Sequence, residues 1–203
     1  TFACPGPTAM HAFALAERAG VNVKEKSVAV VQGLGPVGMF AVMYLHAVGV
    51  KTVFAVTAGN NPKREQSARE LGATEVLDLS VMGEDAVTKY VLNHTNGLGA
   101  DFAFEASGAP AAVPQGMQML RNRGVYLVPG QYSNSGGVNI QPQLITFKAL
   151  HIIGSSQYSV SDVKAYLDFL CEHPELHAGI CALGNKYTIE QINEAFDDAK
   201  SGN

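Results

Sequence analysis

A doubly wound α/β fold around a six-stranded parallel sheet is what this sequence predicts, and three observations predict it. Short apolar runs alternate with helical segments along most of the 203-residue chain. The runs are apolar at consecutive positions, the pattern of strands buried on both faces rather than of surface ribbons. The first run, residues 27–32, passes straight into Gly33-x-Gly35-x-x-Gly38 and then a helix.

In chain order, an opening Ala-rich helix spans residues 9–19 and leads to the strand over 27–32, almost all Val and Ala. The helix over 37–47 is apolar nearly all round, which marks it as buried. Further strands follow over 52–56, 75–79, 100–106, 124–129 and 150–154, with helices over 63–71, 85–93, 111–120 and 161–171 between or after them. Residues 131–142, carrying Ser133-Asn-Ser-Gly-Gly137, read as a surface loop. Near the end, Thr188 is the expected N-cap of a final helix, with Gln191 as its reciprocal partner at N3. The whole chain reads as one domain, 1–203, in which 1–24 form a lead-in loop and helix.

Composition narrows the function classes. A 47% hydrophobic content in 203 residues supports one substantial core, and a net charge of −4 with no basic run between aromatics argues against nucleic acid. No apolar run is long enough to span a bilayer. Cys4, Cys171 and Cys181 form no CxxC pair, and no secretory leader is expected, so a reducing, cytoplasmic setting is the natural reading.

The glycine pattern points to a dinucleotide pyrophosphate. Gly33 permits the turn out of the strand, Gly35 lets the backbone approach the phosphates, and Gly38 allows the helix to lie close on the sheet. Leu34, Pro36 and Val37 fill the positions between them, and the amides at the helix start face the anion. At the end of the second strand, where an NAD-binding domain usually places Asp or Glu, the chain has no acid between Glu25 and Glu65. The stretch from Thr57 offers neutral groups, with Asn60, Asn61, Lys63 and Arg64 able to donate to a 2′-phosphate. This favours NADP(H) over NAD(H), although Lys63 and Arg64 have the plainer reading of solvating a helix start.

With these pieces placed, the chain resembles the cofactor-binding domain of the medium-chain dehydrogenase/reductase superfamily, specifically the zinc-containing alcohol dehydrogenases. The residues that carry the resemblance are Ala3-Cys-Pro-Gly-Pro-Thr-Ala-Met-His-Ala12, Gly33 to Gly38, Ala68-Arg-Glu-Leu-Gly-Ala73, Gly99 to Gly108, Gly124 to Gly130 and Ile192-Asn-Glu-Ala-Phe196. The family's barrel-like catalytic domain, with its Gly-His-Glu zinc motif, has no counterpart here, so the chain looks like the cofactor half of a longer parent. The resemblance implies that Cys4 falls on a zinc ligand completed only in that parent; otherwise it is a free loop thiol. It places Thr8 beside the nicotinamide, where the plainer reading is an N-cap hydroxyl. It also implies that Ser107 and Gly108, Gly130 and Gln131, and Ser155 and Ser156 line the cofactor at later strand ends; the plainer reading of each is an ordinary strand-to-helix turn, where Gly and Ser are common. Glu105 reads as a strand-end acceptor and Asp101 as turn chemistry.

The implied parent is a zinc-assisted alcohol or polyol dehydrogenase using NAD(P), with no catalytic residue supplied by this chain, which is expected to be inactive alone. The alternatives are a zinc-free quinone or enoyl reductase of the same superfamily, which Cys4 argues against, and a non-catalytic nucleotide-binding or dimerisation module. The apolar segment from Gly137 to Ile153 and the resemblance together imply a homodimer paired through the strand from Leu150 to Ile153.

Overall fold

Val28-Ala-Val-Val-Gln32 becomes the first strand because β-branched residues with apolar neighbours fit a pleat that is covered on both sides. In the computed structural model, which describes residues 2–59, 61–131 and 133–201, the elements are α1 (Pro5–Arg18), β1 (Val28–Gln32), α2 (Pro36–Ala47), β2 (Thr52–Thr57), α3 (Pro62–Glu70) and β3 (Glu75–Asp78). The chain continues through α4 (Leu79–Met82), α5 (Glu84–His94), β4 (Ala100–Glu105), α6 (Ala112–Met119) and β5 (Leu120–Val128). It ends with α7 (Gln143–Lys148), β6 (His151–Gly154), α8 (Val160–Glu172), α9 (His177–Ala182) and α10 (Ile192–Ser201). All strand pairs are parallel, in the order β3-β2-β1-β4-β5-β6. The order reverses between β1 and β4, which opens a crevice at their carboxyl ends.

Strands β1 to β5 feed two cores. Ala29, Val31, Phe102, Phe104, Val125 and Leu127 face the layer of α1, α2 and α8, while Val30, Ala103 and Tyr126 face α5 and α6. The alternation is the strand period of two, with apolar side chains on both faces. Helix α2 is buried from Gly38 to Leu45 because α1 and α8 cover the side the sheet leaves open. Phe13 stacks on Tyr44 at 4.4 Å, and Phe169 closes on Tyr44 at 5.1 Å. The all-round apolar character of this helix thus follows from its place between layers.

Two expected boundaries move. Helix α1 begins at Pro5, with Cys4 at the N-cap, since proline is suited to the first helical position. Thr8 is therefore not the N-cap; it lies in the first turn and its hydroxyl donates to the Cys4 carbonyl at 2.9 Å. Strand β5 starts at Leu120 instead of Gly124, with a register irregularity against β4 and Arg123 at φ +60°. Asp101 is a strand residue, not a turn: its carboxylate accepts from the amides of Ser27 and Val28 at 3.0 Å each and pairs with Arg121 at 2.6 Å. The reciprocal pair at the last helix stands as expected, Gln191 accepting from the Thr188 amide at 3.0 Å.

Because α6 runs directly into β5, its last carbonyls have neither a helical partner nor a loop. Lys148 takes them: its ammonium donates to Met117, Gln118 and Leu120 at 3.1, 2.8 and 2.7 Å. Burial pulls this ammonium below the usual lysine range, so the three acceptors compensate a real desolvation. Lys148→Met is expected to destabilise the chain by about 1–3 kcal/mol, read as a lower urea midpoint at unchanged slope.

Candidate functional site

The crevice at the switch point is a cleft of about 700 Å³ lined by the ends of β1, β2 and β4 and by the starts of α4, α5 and α6. Its floor is the β1–α2 turn. Gly33 has φ +93°, and a Cβ there would lie 2.6 Å from the Ser107 backbone. A Cβ on Gly38 would lie 1.9 Å from the Gly33 carbonyl oxygen, which is how α2 is pinned to the strand end. Gly35 differs: it caps α2 at φ −73°, and a Cβ on it would meet nothing within 4 Å. Leu34 lines the cleft beside it, while Pro36 and Val37 begin the helix beneath.

One wall is organised by Glu105, which is fully buried at the end of β4. Its Oε1 accepts from the Ser107 amide, the Ser107 hydroxyl and the Gly108 amide at 2.7, 2.5 and 2.9 Å. Its Oε2 accepts from Gln131 Nε2 at 3.1 Å, and a Cβ on Gly130 would come within 2.4 Å of that oxygen. The carboxylate therefore gathers Ser107, Gly108, Gly130 and Gln131 into one cluster, of which Ser107 lines the cleft. Burial first, and the Glu105 charge second, push the Tyr126 hydroxyl well above the usual tyrosine range, so it acts as a donor. It gives to Gln32 Oε1 at 2.8 Å, and Gln32 Nε2 gives to Gln115 Oε1 at 3.2 Å.

The opposite wall carries Thr57 and Arg64. Asn61 caps α3, its side chain accepting from the Arg64 amide at 3.0 Å. Lys63 does not line the cleft; its ammonium lies 3.5 Å from Asn185 Oδ1 on the C-terminal segment. Asn60 lies outside the described residues. Ser155 follows β6, its amide donating to the Val128 carbonyl at 3.3 Å, with Ser156 beside it. Among the described residues, the Ser155 hydroxyl is buried without a partner. The Cys4 thiol, acting as hydrogen-bond acceptor and as a nearby charge, raises the hydroxyl of Tyr158, in the segment after β6, above its ordinary range.

Gln32, Gln115, Leu79, Ser80 and Glu84 also line the cleft and were not legible as site residues. A lone polar residue ending an apolar strand, as Gln32 does, was the available signal. Among the described residues, no three His, Cys, Asp or Glu side chains gather in a way that could hold a metal ion.

A doubly wound sheet with a glycine turn at its switch point defines a dinucleotide-binding domain of the oxidoreductase type. Residues 36–172 match the zinc-binding dehydrogenase family, so the chain belongs to that family. It is similar to 5-exo-hydroxycamphor dehydrogenase of Pseudomonas putida, 28% identical over 98% of this chain and 54% of that protein. It is likewise 28% identical to sorbitol dehydrogenase of Halalkalibacterium halodurans, over 91% of this chain and 52% of the relative. The solved alcohol dehydrogenase zinc-binding domain protein from Burkholderia ambifaria superposes with a TM-score of 0.78 at 28% identity, covering 98% of this chain and 51% of that one. The chain thus spans about half the length of the curated relatives it matches.

Glu105→Gln keeps the size of the side chain but replaces an acceptor with a donor among four donors. It is expected to destabilise the chain by roughly 1–3 kcal/mol in chemical denaturation.

Proposed function

We propose that this cleft binds a nicotinamide dinucleotide and that the full-length protein transfers hydride between it and an alcohol or polyol. The observation that carries the reading is the turn at the switch point, closed by protein at Gly33 and Gly38 and open at Gly35. That opening faces the first turn of a 12-residue helix, where amides lack intrahelical acceptors. Gly33, Leu34, Gly35, Pro36, Val37 and Gly38 are the proposed pyrophosphate cradle. Thr57, Asn61 and Arg64 border the adenosine ribose, and Ser107, Gly108, Gly130 and Gln131 form the wall that Glu105 holds rigid. Thr8, Ser155 and Ser156 mark the nicotinamide end. Once bound, the nicotinamide supplies the hydride chemistry, and the protein supplies binding and orientation.

The relatives named for hydroxycamphor and sorbitol support an alcohol or polyol as substrate class. The charge pattern along the sequence favours NADP(H), but of the cations it relied on Arg64 alone lines the cleft among the described residues, since Lys63 reaches Asn185, so the choice between NAD(H) and NADP(H) rests on the groups around the turn after β2. Zinc does not fit the described residues by themselves, and Cys4 is proposed as one thiolate ligand whose fellow ligands come from outside this chain. The three unpaired thiols suit a reducing, cytoplasmic setting. Among the described residues no helix is long and apolar enough to cross a membrane.

A second copy paired edge to edge along β6 is the proposed assembly. β6 is an outer strand, with Ile152 exposed on it and Phe147 exposed on the preceding α7. A mass in solution of twice 21.4 kDa is expected, and a monomer at tens of micromolar would count against the pairing.

Gly35→Ala tests the cradle. The added methyl meets no protein atom and demands no unusual φ, so stability should be unchanged. Affinity for NADH and NADPH should nevertheless fall roughly tenfold to hundredfold, because the methyl takes the space of the phosphates. Unchanged affinity in a fluorescence titration would sink the cradle assignment.

A further inference from the structure

Resting on that reading of the cleft, we infer that Asp78, delivered by β3 and not by β2, discriminates between the two nicotinamide dinucleotides and favours NAD(H). Dinucleotide-binding sheets usually place a carboxylate at the end of the second strand, where it accepts from ribose hydroxyls. Here that position is Thr57, which has no charge. In the parallel register of β2 and β3, however, Thr57 lies opposite Asp78. Adjacent strands are about 4.8 Å apart and partnered residues point to the same face, so the acid stands one strand away from its usual place.

The backbone after β2 folds down onto this acid. A Cβ built on Gly59 would lie 2.6 Å from Asp78 Oδ1 and 2.1 Å from Ser80 Oγ, and Gly59 sits at φ +85°, where a side chain would be strained. Glycine at this position lets the turn that follows Thr57 touch the carboxylate directly. Ser80, which lines the cleft, holds the acid in place: its amide and its hydroxyl both donate to Asp78 Oδ1 at 2.7 Å. Among the described residues the second carboxylate oxygen carries no hydrogen bond, which leaves it to accept from ribose.

Charge decides the direction. Asp78 lies behind Gly59 and Ser80, which line the cleft, so a 2′-phosphate on that turn would bring up to two negative charges toward it, with Glu84 on the cleft wall. The compensating cation at the cleft is Arg64, since Lys63 is drawn to Asn185. A ribose hydroxyl, by contrast, donates to a carboxylate in a charge-assisted bond. Asp78 is half-buried, so its effect on a dianion is screened but not lost.

The test is a pair of fluorescence titrations of the 203-residue chain with NADH and with NADPH, read on the nicotinamide emission, since the chain has no Trp. Wild type should bind NADH more tightly. Asp78→Asn retains an N-cap acceptor for the Ser80 amide, and should raise NADPH affinity relative to NADH about tenfold. Ser80→Ala, which leaves the charge in place, should keep the NADH preference. A wild-type preference for NADPH overturns the inference without any variant. An affinity ratio that is equal in wild type and Asp78→Asn overturns it too, leaving the cleft reading intact. If neither nucleotide binds wild type at millimolar concentration, the cleft reading fails and this inference falls with it.

Discussion

The buried carboxylate of Glu105 is the constraint on which the rest of the cleft depends. A carboxyl group with no exposure to solvent must find its hydrogen-bond partners within the protein, and here the donors come from the chain that follows β4 and β5. Meeting that demand folds residues 106–108 back over the strand end. The Ser107 backbone then lies against Gly33, so that position can hold no Cβ, and the β1–α2 turn must adopt a positive φ. The same turn puts the Gly33 carbonyl against Gly38, which sets how closely α2 approaches the sheet. One charge thus fixes a loop, a turn and a helix in sequence.

Behind the cleft, a two-sided core keeps the strand ends in line. The ladder continues past the strands themselves: the amides of Gly33, Ala106 and Gly130 donate to the carbonyls of Val56, Gln32 and Glu105 at 2.8 to 2.9 Å. The turns that would touch a ligand therefore share the rigidity of the sheet. The Tyr126, Gln32 and Gln115 network does the same from below, linking β5, β1 and α6 through side chains that are almost wholly buried. A fully satisfied polar network of this kind tolerates little movement.

Much of this was readable in the chain. The six strands, their parallel arrangement, the helix buried on all sides and the Gly33 to Gly38 turn follow from local periodicity and glycine placement, and the capping pair of Thr188 and Gln191 was legible for the same reason. The short helices α4, α7 and α9 were not, because four to six residues carry too little periodicity. The role of Lys148 had no local signal, since nothing near it in the chain shows that the carbonyls at the end of α6, some thirty residues earlier, lack donors. The turn after β2 carries no acid of its own along the chain, whereas Asp78 reaches that turn sideways, across the sheet.

The sequence by itself determined the fold class, the order of elements and the position of the glycine turn, since each rests on residues a few places apart. Tertiary structure alone decided which polar groups come together at and behind the cleft: Glu105 gathers Gln131, Arg64 stays while Lys63 turns to Asn185, and Asp78 arrives beside Thr57. The reason is physical. Periodicity and turn chemistry act through neighbours along the backbone, but electrostatics and packing act through distance in space, and strand register sets that distance.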